Sequence, residues 1–237
     1  MPGELAALMR DPVHAGVGVP HGDGAPVLLV PGYLAGDGSM GVMARWLLRI
    51  GYRPARAGMR LNADCATAAL GRLEARLEAQ AERHGRRVAI VGQSRGGSLA
   101  RVLALRRPDL VAGIVTLGSP ALDELAVHPF VLLNLRVVAS LARLGVPGLL
   151  SATCRDGDCC AAIRDLAGEP LPPGIGWTAI YSRSDGIVRW RACLAPGAEL
   201  VEVDASHVGM GLHAGAYRAI AGALHRFAVA DSIPTAA

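Results

Sequence analysis

The chain has 237 residues, 51% of them hydrophobic and only 4% aromatic, which is ample for a buried aliphatic core and poor for a base-stacking surface. Its net charge of +4 comes entirely from arginine, 24 residues with no lysine, and these are scattered rather than clustered, so a nucleic-acid interface is not expected. No segment reaches the roughly 18 uncharged apolar residues of a membrane span.

Residues 1–24, rich in Gly, Pro and His, read as an irregular lead-in. Glu4, Arg10 and Asp11 leave no apolar run long enough for a signal-peptide core, so a cytoplasmic protein is expected, or a secreted one where a leader has been removed. Val27-Leu28-Leu29-Val30 then predicts a buried strand, and the loop Pro31-Gly32-Tyr33-Leu34-Ala35-Gly36 leaves its end, where open α/β sheets place ligand chemistry. Apolar positions Met40, Met43, Leu47 and Ile50 mark a helical face over 39–50, and 52–59 is a weak edge strand. A second helix is predicted over 66–84, with Leu70, Leu73, Leu77 and Ala81 on one face and Gly85 ending it.

Val88-Ala89-Ile90-Val91 is the next strand, and it runs directly into Gly92-Gln93-Ser94-Arg95-Gly96 and a helix over 98–105. A serine between glycines at a strand-to-helix turn has its hydroxyl lifted off the sheet edge and set at a helix N-terminus, where negative charge is favoured. Residues 110–117 form another buried strand, and the alternation of strand and helix implies a mainly parallel sheet. Residues 121–174 interrupt this alternation. Their apolar stretch Phe130 to Leu144, broken by Asn134, Arg136, Ser140 and Arg143, predicts a small helical cap over the site. The sheet resumes at 177–181, leading into Asp185, and ends with 199–203, leading into His207. A final helix is expected over 216–228, and residues 231–237 form a flexible tail.

A serine hydroxyl is a poor nucleophile until a base takes its proton and a third group orients that base. Ser94, His207 and Asp185 fall just beyond strands whose C-terminal ends share one sheet edge, so their loops can converge. Asp204 competes with Asp185 for the acid position, although it stands three residues before His207 at the same strand end. His213 and His225 lie in or near the last helix and read as surface residues.

At Pro31-Gly32-Tyr33, Gly92-Gln93-Ser94-Arg95-Gly96-Gly97, Tyr181-Ser182-Arg183-Ser184-Asp185-Gly186 and Ser206-His207-Val208-Gly209-Met210 the sequence resembles the α/β-hydrolases of the lipase/esterase kind, over roughly residues 25–230. The resemblance implies an α/β-hydrolase fold, a single domain with the cap inserted at 121–174, and a triad of Ser94, Asp185 and His207. It also implies an oxyanion hole built from the backbone N–H groups of Tyr33 and Arg95, whose side chains are then free to change at modest cost. Pro31 and Gln93 stand where many members carry histidine, and neither departure removes a catalytic atom. The expected activity is hydrolysis of small-molecule or lipid esters with apolar acyl groups. An acyltransferase using the same acyl-enzyme, or a non-catalytic binding protein, are the alternatives. No cofactor is expected, and contact with a lipid surface would be transient. Cys154, Cys159 and Cys160 share one loop, whereas Cys65 and Cys193 are isolated. With no fourth ligand at a recognisable spacing, no metal is expected; a bridge from Cys154 to Cys159 or Cys160 is expected only in an oxidising compartment.

Overall fold

The computed structural model of the chain describes residues 2–121, 126–144, 149, 154 and 160–232. Six strands form one sheet: β1 (Pro26–Val30), β2 (Arg53–Arg56), β3 (Val88–Gln93), β4 (Val111–Leu117), β5 (Gly176–Tyr181) and β6 (Glu199–Glu202). Their order is β2-β1-β3-β4-β5-β6, and every pairing is parallel. The central strands are apolar on both faces because helices cover both. Leu28, Val30 and Ile90 point into one core with Leu70, Leu73 and Leu77 of α3 (Ala66–His84) and Leu99, Val102 and Leu103 of α4 (Arg95–Arg106). Val27, Leu29 and Val91 point into the other, with Met43, Trp46 and Leu47 of α2 (Gly41–Arg49). The last helix of the chain, Ala214–Ser232, closes that second core with Tyr217, Ile220, Leu224 and Phe227.

The strand order places the site. From β1 the chain goes first to β2 on one side, then crosses to β3 on the other, so the loops leaving β1 and β3 part in opposite directions and open a crevice between them. Leu28 pairs with Ile90 and Val30 with Gly92, which brings the loop beginning at Pro31 level with the turn at Ser94.

The N-terminal segment differs from the irregular lead-in that its composition implied. Residues Pro2–Arg10 form helix α1, and Pro12–Ala15 a 3-10 turn capped by the Asp11 carboxylate. Leu8 and Val13 are buried in the core, and the Val13 carbonyl accepts a hydrogen bond from the Trp46 indole at 2.8 Å. Within 121–174, α5 (Pro129–Arg143) and α6 (Ala161–Ala167) are helical. The chain entering α5 is tied to the loop after β5 by an antiparallel bridge between Val127 and Val188, and by hydrogen bonds from His128 N–H to Ile187 and from Arg189 N–H to Ala126. Counted with these, the helix Ala214–Ser232 is α7. Of the expected flexible tail at 231–237, Asp231 and Ser232 continue α7, and 233–237 lie outside the described residues.

Candidate active site

Ser94 sits between the last residue of β3 and the first of α4 with φ 51 and ψ −124, a conformation that a non-glycine residue adopts only where its surroundings enforce it. Two glycines make the turn possible by close approach. A Cβ on Gly92 would lie 2.5 Å from the Gly96 carbonyl oxygen, and one on Gly96 would lie 2.2 Å from the Val30 carbonyl oxygen. Any other residue at either position would push α4 off the sheet. Because α4 begins at Arg95, the N-terminal end of its dipole is directed at Ser94.

His207 and Asp185 form a buried pair, with His207 Nδ1 at 2.7 Å from Asp185 Oδ2 and the two side chains 9% and 1% exposed. The second carboxylate oxygen, Oδ1, accepts the N–H groups of Ile187 and Val188 at 2.8 Å each. An ionised carboxylate only accepts, so it fixes the proton on Nδ1 and leaves Nε2 with its lone pair. Asp204 is exposed and accepts the Ser184 hydroxyl at 2.7 Å. Of the two acids, Asp185 is the one hydrogen-bonded to His207. His225 is exposed on α7, and His213 is half-buried at its start.

Short links join the serine turn to this pair. Ser94 N–H donates to the Leu117 carbonyl at 2.8 Å, and the next residue, Gly118 at φ 54, stands against the pair: a Cβ there would lie 3.1 Å from both His207 Nδ1 and Asp185 Oδ2. From the other side, Gln93 Nε2 donates to the carbonyls of His207 at 3.2 Å and Val208 at 3.4 Å. The Ser182 hydroxyl oxygen accepts from Ala205 N–H at 3.2 Å and Ser184 N–H at 3.1 Å, tying the acid loop to the histidine loop. Glu4 of α1 adds a clamp that the sequence did not announce. Its carboxylate accepts both the N–H and the hydroxyl of Ser206, at 2.9 Å, next to His207.

The loop after β1 is fixed from below by Asn62, which is fully buried. Its amide donates to the Pro31 carbonyl at 2.7 Å, its backbone exchanges hydrogen bonds with Leu34 and Ala35, and its side-chain oxygen accepts from the Arg95 guanidinium. Arg95 also donates to the Asp64 carbonyl at 2.6 Å. The Arg95 side chain thus braces the loop on which Tyr33 lies, a contact that the expectation of a modest cost for changing it did not include. Gly32 places that loop against the serine, since a Cβ on it would approach Ser94 Cβ to 3.4 Å. The Tyr33 hydroxyl is buried without a hydrogen-bond partner among the described residues, and burial raises its pKa against the opposing charge of Arg95.

Cys65 is not isolated. At the N-cap of α3, it lies with Cys154 and Cys160 in a group whose sulfurs are all within 4.8 Å of one another. Cys193 is buried outside this group, and Cys159 lies outside the described residues.

Solved structures share this fold. The mature form of a Bacillus licheniformis lipase superposes with a TM-score of 0.59 at 16% identity, covering 82% of this chain and 89% of its own. A carboxylesterase structure from the thaumarchaeon Nitrososphaera gargenis gives 0.58 at 19% identity, covering 89% and 93%. The fold is the α/β-hydrolase fold. A monoacylglycerol lipase of Paleococcus ferrophilus, at 15% identity and a TM-score of 0.56, covers 86% of this chain and 96% of its own. No family model and no curated protein matches the sequence. The α/β-hydrolase frame explains why the four loops meet: β1, β3, β5 and β6 deliver the Gly32 loop, Ser94, Asp185 and His207 to one edge of a single parallel sheet.

Proposed function

We propose that this protein is a serine hydrolase that cleaves carboxylic esters through an acyl-enzyme on Ser94. The observation that carries the reading is the buried His207–Asp185 pair, tied through Gln93 and Gly118 to a serine held at positive φ on a helix N-terminus. In the first step Ser94 Oγ attacks the ester carbonyl carbon while His207 Nε2 takes the hydroxyl proton, and Asp185 stabilises the imidazolium that results. The carbonyl oxygen becomes an oxyanion, which the backbone N–H groups of Tyr33 and Arg95 stabilise; a single such donor is worth about 3 kcal/mol of transition-state energy. Collapse of the intermediate breaks the bond to the alcohol, which leaves with the proton from His207. Water then repeats the sequence, its proton passing to His207 and back to Ser94, and the acid is released.

Apolar acyl groups are the substrates this reading favours, because α5 starts beside the Asp185 loop and carries an apolar stripe. A fluorophosphonate probe tests the core claim: it should label Ser94 stoichiometrically, and Ser94→Ala should abolish both labelling and p-nitrophenyl ester hydrolysis while leaving the circular dichroism unchanged. A wild-type protein that resists the probe while folded would overturn the assignment and leave a binding protein on this fold.

A further inference from the structure

The three thiols at the edge of α3 have no part in ester chemistry, yet they converge from distant parts of the chain. Cys65 ends the segment that follows β2, whereas Cys154 and Cys160 belong to the excursion between β4 and β5. Cys65 Sγ lies 3.7 Å from Cys160 Sγ, all three sulfurs fall within 4.8 Å of one another, and the Thr67 hydroxyl is 3.9 Å from Cys160 Sγ. Sulfurs bound to one tetrahedral zinc ion at about 2.3 Å stand about 3.8 Å apart, so the 3.7 Å between Cys65 and Cys160 is the spacing of two ligands on a common ion, and the 4.8 Å limit keeps Cys154 within about 1 Å of it. A disulfide would need about 2.05 Å. The reading of the sequence against a metal looked for a fourth ligand beside Cys154, Cys159 and Cys160; the group in the fold holds three thiols, one of them, Cys65, from outside that loop.

We propose that Cys65, Cys154 and Cys160 bind a single thiophilic d10 cation, Zn2+ or Cu+, as three thiolates. Soft thiolate donors select these ions over hard ones, and three protein ligands suit either trigonal Cu+ or tetrahedral Zn2+ with water in the fourth position. Each thiol releases its proton to solvent as its metal–sulfur bond forms. The bound ion would pin the excursion to the body of the protein. It would do so one residue from Asp64, whose carbonyl holds Arg95 beside Ser94.

The test uses the full chain purified under reducing conditions and stripped with chelator. It is then titrated with Zn2+ against a chromophoric chelator and, anaerobically, with Cu+ against a Cu+-specific one. Retention of about one equivalent of either ion, seen as a mass increment under native conditions, is the expected result and identifies which ion is taken. Cys65→Ser, Cys154→Ser and Cys160→Ser should each lose it, and Cys193→Ser, whose buried thiol lies outside the group, should keep it. Should the serine variants fail to fold, alkylation of the wild type decides: the metal should protect three of its five cysteines. The proposal falls if neither ion is retained, if Cys65→Ser binds as well as wild type, or if the protein isolated without reductant carries a Cys65–Cys160 or Cys65–Cys154 bridge.

Discussion

Asp185 divides its carboxylate between two tasks, one oxygen holding His207 and the other closing its own loop onto Ile187 and Val188. Asp185→Asn can still close the loop but cannot hold the imidazole in the tautomer that accepts the Ser94 proton. We therefore expect kcat to fall by about a thousandfold or more with the fold retained. Asp204→Asn, at an exposed carboxylate that accepts only the Ser184 hydroxyl among the bonds described, should stay within about twofold of wild type. Esterase assays on the two variants check the choice of acid. Asn62 makes a different prediction. Asn62→Ala removes the buried donor to Pro31 and the acceptor of Arg95, at a cost to stability of about 1–3 kcal/mol. If Tyr33 N–H serves the oxyanion, the loosened loop should also lower kcat by up to about a hundredfold while KM changes little. Denaturant titration and steady-state kinetics separate these effects.

At the scale of elements, α1 is a working part of the site. Acceptance of the Ser206 N–H, opposed by burial and reinforced by the Ser206 hydroxyl, holds the Glu4 carboxyl below its ordinary value of 4.5. A depressed carboxylate stabilises the fold above its unfolded pKa, and that contribution disappears as pH falls through the folded value. The stability advantage of wild type over Glu4→Gln should therefore be full at neutral pH and shrink below about pH 4.5, as followed by Tm in matched buffers. Local patterns foretold most other elements. The apolar spacing over 66–84 matches α3 end to end, and the strand runs fall within a residue or two of β1, β3, β4, β5 and β6. The turn at Ser94 was legible because glycine spacing is a local signal. By contrast, α1 is short and owes its place to Leu8 and to a bond with Ser206, far along the chain; only Glu4 in its first turn and Arg10 in its last hinted at a helix. The contacts of Asn62, of the Arg95 side chain and of Cys65 escaped for the same reason. Their partners lie far away in sequence, and no periodicity encodes a contact of that kind.

For the whole molecule, the open question of substrate turns on α5. Phe130, Leu133, Val137, Leu141 and Leu144 are between 41 and 80% exposed and recur at helical spacing, while Val138 is buried. The apolar excursion thus keeps much of its hydrophobic face in solvent instead of folding it into the core as the helices of the sheet do. If this face receives the acyl chain, each added methylene should raise kcat/KM by about fourfold, corresponding to about 0.8 kcal/mol of burial, until the surface is filled. A series of p-nitrophenyl esters from acetate upward measures this, and a flat profile would detach α5 from the acyl site. The clamp between Glu4 and Ser206, finally, joins residues 202 apart in sequence. On the ribosome Glu4 is made long before Ser206. A nascent chain carries its serine turn for more than a hundred further residues of elongation before His207 exists. If Ser94 is the nucleophile proposed above, the growing polypeptide has it without its base until His207 emerges and the segment around Ser206 finds α1, and it should be inert toward esters up to that point.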